Sequence, residues 1–139
     1  LIGRINGQLS QPGWAPITYL YRSVPFEQLI ALYLLADVTL VTPLRDGMNL
    51  VAKEGPVVNE RDGVLVLSEG AGASEELGEA ALIVSPYDLV DMAEAMHQAL
   101  GMGAKERKKR ARELRARVQE HSVADWLYSQ LLDFTSLPS

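Results

Sequence analysis

Val38-Thr39-Leu40-Val41-Thr42-Pro43-Leu44-Arg45-Asp46-Gly47-Met48-Asn49-Leu50-Val51-Ala52-Lys53-Glu54 opens as a short apolar, β-branched run, breaks at a proline and a glycine, and resumes as a helix-compatible stretch from about Asn49. That order predicts a strand, a loop and a helix. Such a loop aims backbone N–H groups and the positive end of the helix dipole at one point outside the sheet. The point suits an anion, such as a diphosphate. Asp46 stands just before the helix and Glu54 one to two turns inside it, so two carboxylates bracket that point and each can accept from hydroxyls. Asp46 also fits a turn or N-cap, Glu54 a solvated helix position, and Asn49 a cap or a backbone donor. Lys53 reads as a surface or salt-bridge lysine, because an anion would sit at the other end of the helix.

The same unit recurs on either side. Ile17 to Tyr21 is a short β-branched and aromatic run, and Ser23 or Pro25 can open a helix whose Phe26, Leu29, Ile30, Tyr33 and Leu34 form an apolar stripe suited to lie on a sheet. Gly63 to Leu67 is a nearly continuous apolar strand leading through Gly70-Ala71-Gly72-Ala73 into a short helix from Ser74 to Leu77, and Ala81 to Val84 leads past Pro86 into a helix from Leu89 to Leu100. Strands apolar on both faces and separated by helices predict a parallel sheet covered on both sides, here of about four strands. In such a doubly wound sheet ligands gather at the carboxyl ends of the strands, which singles out loops 21–25, 43–49, 68–73 and 85–88. Gly55-Pro56 is expected to kink or end the helix that carries Glu54. The Gly70–Ala73 loop resembles a phosphate cradle but lacks a dinucleotide fingerprint, so it reads as close packing beside the sugar site, with direct contact as the alternative.

Composition narrows the function classes. With 139 residues, 47% hydrophobic and 22% charged, the chain has the apolar mass for one globular core. No cysteine is present, which excludes thiolate and zinc-thiolate chemistry and suits a reducing cytoplasm. The longest apolar stretch, Leu29 to Ala36, is far short of the roughly 20 residues a bilayer crossing needs. The opening Leu1-Ile2-Gly3 is neither an initiating methionine nor a signal segment, so a start inside a larger protein is expected.

Net charge is -5, which disfavours a general nucleic-acid binder, yet Lys105 to Arg117 gathers much of the basic charge. No aromatic residue interleaves with those charges, so a solvated helix is the expected reading and a nucleic-acid surface is not. A final helix is expected from Val123 to Leu132, with Val123, Trp126, Leu127 and Leu131 at helical spacing. His97 and His121 have no second ligand at metal spacing and no partner carboxylate, so no metal site is assigned to them.

Taken together, Ile5-Asn6-Gly7, Tyr19-Leu20-Tyr21-Arg22, the run Leu40 to Glu54, Gly63 to Glu69, Ala71-Gly72-Ala73 and Pro86-Tyr87-Asp88 resemble the C-terminal part of the trehalose-6-phosphate synthase family. The resemblance covers nearly the whole chain, and the run from Leu44 to Glu54 is its most specific part. It implies an α/β fold with a Rossmann-like, doubly wound parallel sheet, forming the C-terminal lobe of a two-lobed GT-B glycosyltransferase and incomplete at its N-terminus. It implies a nucleotide-sugar-binding domain over residues 1–122, with a C-terminal helix and tail over 123–139 packing toward the other lobe or on its own domain.

The family reaction passes glucose from UDP-glucose or GDP-glucose to glucose 6-phosphate with retained anomeric configuration, and it uses no metal and no cofactor. By position, the resemblance makes Asp46 the catalytic residue that holds glucose hydroxyls. It gives Gly47 and the backbone of Met48, Asn49 and Leu50 the glucose and diphosphate, Glu54 the ribose, and Val24 and Leu29 the border of the base. The arginine and lysine that neutralise the diphosphate in the family, and the acceptor-phosphate site, would lie upstream of Leu1, so the chain alone is expected to bind donor weakly and not to turn over. Gly55-Pro56 departs from the family pattern after Glu54. Further expectations are a cytoplasmic protein with no membrane or nucleic-acid partner and a possible homo-oligomer. The alternatives are a related synthase making glucosylglycerol phosphate or a pseudo-disaccharide phosphate, or a non-catalytic binding module.

Overall fold

The computed structural model describes residues 1–120 and 123–135. The elements run α1 (Ile2–Leu9), α2 (Phe26–Leu35), β1 (Val38–Val41), α3 (Leu50–Val58), β2 (Val64–Ser68), α4 (Ala73–Leu77), β3 (Leu82–Val84), α5 (Leu89–Gly101), α6 (Ala104–Glu120) and α7 (Val123–Thr135). The three strands form one parallel sheet in the order β1-β2-β3, with Val38 opposite Val64 and Val66 opposite Leu82. Parallel neighbours need a crossover between them, and α3 and α4 supply it.

β2 is the centre of the molecule: all five of its residues are buried. Alternation sends its side chains to two separate cores. Leu65 and Leu67 join Val41, Ala52, Leu77 and Leu114 under α3, α4 and α6 on one face. Val64 and Val66 join Val84, Ala95 and Ala99 under α5 on the other. Both faces of the sheet are therefore covered, as the apolar strand sequences require. Leu114 of α6 is fully buried, which accounts for about 1.5–3 kcal/mol of apolar burial in an otherwise charged helix.

The rest of α6 is ordered by its arginines. Arg107 donates to the carbonyls of Arg61 and Asp62 and reaches Asp37, Arg110 donates to the carbonyls of Ala80 and Ala81, and Arg115 donates to the carbonyl of Asn59. Arg117 donates to the Glu76 carbonyl and pairs with Glu79. These guanidinium groups close loop and helix carbonyls that would otherwise lack partners. Lys105, Lys108, Lys109 and Arg112 stay exposed on the outer face.

Several expectations change. Ile17–Tyr21 is not a strand: the backbone N–H and C=O of Ile17 are both taken by the Asn6 carboxamide, at 3.0 and 2.8 Å, and Tyr19 and Tyr21 stack on each other in an exposed segment. Among the described residues the sheet accordingly has three strands. The Phe26–Leu34 stripe does not lie on the sheet; α2 packs against α3, with Tyr33 buried and Phe26 exposed. Gly55-Pro56 neither ends α3 nor exposes it, because Gly55 and Pro56 are both buried and the helix runs on to Val58. Near a helix end one missing N–H is offset by packing, so the sequence signal for a break was overridden. The basic helix, the final helix and the short α4 appear where expected, the first two running three residues further at their C-terminal ends. His121 lies outside the described residues, and no helix among the described residues is long and apolar enough to cross a membrane.

Candidate functional site

The site begins where β1 ends. Beyond Val41 the chain continues the parallel pairing as an isolated bridge, with Asp46 alongside Ala71. The Asp46 N–H donates to the Gly70 carbonyl at 3.1 Å, the Gly72 N–H donates to the Asp46 carbonyl at 2.9 Å, and the Ala73 N–H donates to the Met48 carbonyl at 3.0 Å. Ser68, fully buried at the end of β2, adds a side-chain link: its hydroxyl donates to the Pro43 carbonyl and accepts from the Gly70 N–H. The 43–48 and 68–73 loops are thus zipped together by backbone.

That closeness explains the two glycines. A Cβ on Gly70 would stand 2.3 Å from the Leu44 carbonyl oxygen, and one on Gly72 would stand 2.2 Å from the Gly47 carbonyl oxygen. No side chain fits at either position. The close-packing role expected of Gly70-Ala71-Gly72-Ala73 is what the structure shows.

Asp46 is exposed, and its carboxylate organises the turn. Oδ1 accepts from the Met48 N–H at 3.1 Å and Oδ2 accepts from the Asn49 side-chain amide at 3.0 Å. The Met48 hydrogen bond, followed by that from Asn49, holds the carboxyl below the ordinary aspartate range, so it stays ionised at neutral pH. Asn49 sits at φ 74°, a left-handed conformation that asparagine tolerates, and its Oδ1 caps α3 by accepting from Ala52 N–H at 3.1 Å. The turn and cap roles left open by the sequence are therefore both filled. The Met48 N–H already faces Asp46, and its carbonyl faces Ala73; Leu50 and Val51, at the first turn of α3, carry the N–H groups that no helical carbonyl can reach.

Glu54 lies on the same helix, exposed, and accepts from the buried Tyr33 hydroxyl at 3.2 Å. Burial, then the charge and hydrogen bond of Glu54, push the Tyr33 hydroxyl above its ordinary value. Leu29 is one helical turn before Tyr33 on α2, and Val24 precedes that helix; both are half-buried. Packing of α2 on α3 therefore places Glu54 beside the helix that carries Leu29. Lys53 points elsewhere and pairs with Glu76 of α4, as its salt-bridge reading anticipated.

A cleft of about 600 Å³ opens at the carboxyl ends of all three strands, lined by residues 44–47, by Glu69 and Gly70, and by Pro86 and Tyr87. It takes in Asp46 and Gly47. Met48, Asn49, Leu50, Glu54, Val24 and Leu29 do not line it. Three contributors were missed from sequence. Tyr33 was counted only as part of an apolar stripe, although a buried tyrosine hydroxyl needs a partner; Ser68 sat unremarked at a strand end; and Glu69 was not singled out in its loop.

Three comparisons bear on this geometry. The family model for glycosyltransferase family 20 matches residues 1–136. The chain is 53% identical over 127 residues to a bifunctional trehalose-6-phosphate synthase/phosphatase of Thermoproteus tenax, covering 90% of this chain and 17% of that protein. It is 46% identical over 128 residues to a glucosylglycerol-phosphate synthase of Pseudomonas anguilliseptica, again covering 90% and 17%. A solved E. coli structure named for trehalose 6-phosphate and bound with UDP-2-fluoro glucose superposes with a TM-score of 0.89 at 42% identity, over 99% of this chain and 31% of that one. The chain therefore spans less than a third of the length of each of these relatives.

Proposed function

The chain belongs to glycosyltransferase family 20, and from that membership we propose that it is the donor-binding part of a retaining glucosyltransferase that moves glucose from a nucleotide-glucose to glucose 6-phosphate, giving trehalose 6-phosphate. The observation that carries the reading is the ordered turn at Asp46 and the Asn49 cap that open α3, the helix that also carries Glu54. Asp46 lies at the turn before α3, Glu54 lies one and a half turns inside, and the first-turn N–H groups of Leu50 and Val51, which lie between them in sequence, have no hydrogen-bond partner among the described residues.

In this reading Asp46 is the residue that touches the transferred sugar. Its carboxylate, kept ionised by Met48 and Asn49, accepts hydrogen bonds from glucose hydroxyls and does not serve as an acid. The N–H groups at the start of α3 and the helix dipole stabilise the diphosphate as charge builds on it. Glu54, steadied by Tyr33, accepts from the ribose hydroxyls, and Val24 and Leu29 border the base. The acceptor hydroxyl forms its bond to the anomeric carbon on the face from which the phosphate leaves; the anomeric C–O bond breaks, and the hydroxyl proton passes to the departing phosphate. The nucleotide-glucose is a substrate, UDP-glucose or GDP-glucose, and the reading calls for no metal or cofactor.

The acceptor belongs to the other lobe of the GT-B fold, toward which the segment 123–139 is assigned; cytoplasmic location and inactivity of the 139-residue chain alone complete the proposal. The match to a glucosylglycerol-phosphate synthase favours one second reading, in which only the acceptor differs. Titrating the chain with UDP-glucose, GDP-glucose and DNA while following amide chemical shifts tests the assignment. Saturable changes confined to residues 21–25 and 43–54 with a nucleotide-glucose are expected. Changes mapping to Lys105–Arg117 with DNA, and none in those loops, would overturn it. Assaying the protein that carries both lobes with glucose 6-phosphate against glycerol 3-phosphate decides between the two acceptors.

A further inference from the structure

Lys53 and Glu76 form an ion pair to which the donor assignment gives no part. Lys53 is the fourth residue of α3 and Glu76 the fourth of α4, and Lys53 Nζ lies 2.5 Å from Glu76 Oε2 with the two side chains 20% and 19% exposed. A pair withdrawn from water this far loses hydration that mutual attraction offsets only in part, and apolar residues of similar volume often stabilise a fold as well. Glu76 bears a further penalty, because among the described residues its other oxygen, Oε1, is buried without a hydrogen-bond partner. Stability alone is therefore a poor reason for the pair.

Its place in the fold is a better one. α3 and α4 both pack on α6, and neither packs extensively on the other. At one end α4 is already joined to the chain entering α3: the Gly72 N–H donates to the Asp46 carbonyl at 2.9 Å, and the N–H of Ala73, the first residue of α4, donates to the Met48 carbonyl at 3.0 Å. The ion pair adds a second tie about one turn further along each helix. The Glu76 carbonyl, accepting from Arg117 at 3.1 Å, fixes α4 in turn to α6. Met48, α4, the pair and the first turn of α3 thus close a ring. Two ties a turn apart set the direction of a helix, where a single tie leaves it free to pivot.

We propose that Lys53 and Glu76 are a positioning pair for the donor site, holding the first turn of α3 in a fixed direction against the Asp46 turn. The N–H groups of Leu50 and Val51 and the carboxylate of Glu54 then meet a diphosphate and its ribose as one preformed surface. The inference rests on the donor reading and adds to it two residues that touch no ligand. Lys53 gives the diphosphate no charge, since its ammonium is engaged by Glu76 away from the start of the helix.

The test is a double-mutant cycle on the 139-residue chain with Lys53→Met, Glu76→Met and the two combined, read once in the urea midpoint and once in UDP-glucose affinity by calorimetry. The combined variant should keep the wild-type midpoint or exceed it and yet bind UDP-glucose about fivefold more weakly. Each single substitution should weaken binding by about the same factor, because either one opens the ring. A combined variant that binds like the wild type, or one whose weaker binding comes with a matching fall in midpoint, overturns the proposal. Weaker binding in Lys53→Met with unchanged binding in Glu76→Met also overturns it, since the lysine would then act on the phosphates directly. Absence of saturable binding by the wild type would remove the donor reading and this role with it, whereas wild-type binding beside an indifferent combined variant removes this role alone.

Discussion

The phenolic hydroxyl of Tyr33 on α2 donates to Glu54 Oε2 on α3 across 3.2 Å, so the carboxylate assigned to the ribose is oriented by a neighbouring helix. Tyr33→Phe keeps the packing and removes that bond. Stability should fall by about 0.5–1.5 kcal/mol, read from urea unfolding, and UDP-glucose affinity by about threefold, read by calorimetry. The hydroxyl's raised pKa means that its contribution is full below the ordinary tyrosine range and lost as pH climbs through the folded value. The stability gap between wild type and Tyr33→Phe should therefore close only in strongly alkaline solution; a gap that closes on the acid side contradicts the assignment.

Asp46 makes the opposite prediction for acid. Its folded pKa is lowered, so the bonds to Met48 and Asn49 persist above the ordinary aspartate range and are lost as pH falls through the folded value. Donor binding should be level from neutral pH down to that range and drop below it. Asp46→Ala should weaken UDP-glucose binding about tenfold while leaving the urea midpoint nearly unchanged, since the carboxylate is exposed. A large stability loss with intact binding would assign Asp46 to the fold alone.

Gly70→Ala and Gly72→Ala each drive a methyl group into a backbone carbonyl that cannot move aside. Each should destabilise by about 1–3 kcal/mol and shift the amide resonances of residues 44–48. Gly7→Ala in α1 meets no atom within 4 Å and serves as the control, expected to be neutral or stabilising by up to about 1 kcal/mol.

Asn59 is 6% exposed and spends its whole carboxamide on backbone: Nδ2 donates to the carbonyls of Tyr33 and Ala36, and Oδ1 accepts from the N–H groups of Arg61 and Gly63. Asn59→Ala leaves those buried groups without partners and should cost about 2–4 kcal/mol. Asn59→Asp, nearly the same shape, should not rescue it, because a carboxylate oxygen would then face two carbonyls. Thermal unfolding of both variants checks this, and a stable Asp variant would contradict it.

The parallel sheet could be read from the apolar runs at 38–42, 63–67 and 81–84, because strands buried on both faces have no other solution than helices on either side. The Asp46 turn and the Asn49 cap of α3 were legible for a local reason: strand, loop and helix are contiguous, so spacing fixes geometry. Failures came where distant partners decide. Ile17 reads as a strand until Asn6, eleven residues earlier, takes both of its backbone groups. Pro56 reads as a helix end until burial holds the helix together around it. Tyr33 looked like core because nothing in its own helix announces that its hydroxyl meets a carboxylate on the next one.

The two carboxylates of the site are mounted differently. Asp46 is stitched by backbone hydrogen bonds to the loop leaving the central strand, whereas Glu54 takes its bearing from a single hydroxyl on α2, the helix that also carries Leu29. Asp46 is thus tied to the loop after the fully buried central strand and Glu54 to an outer helix. Amide exchange should be slower around Gly70–Ala73 than in the first turns of α2. Under the donor-binding proposal, substitutions confined to α2 would shift the choice of nucleobase and leave the grip on the transferred sugar to the loop beside the sheet.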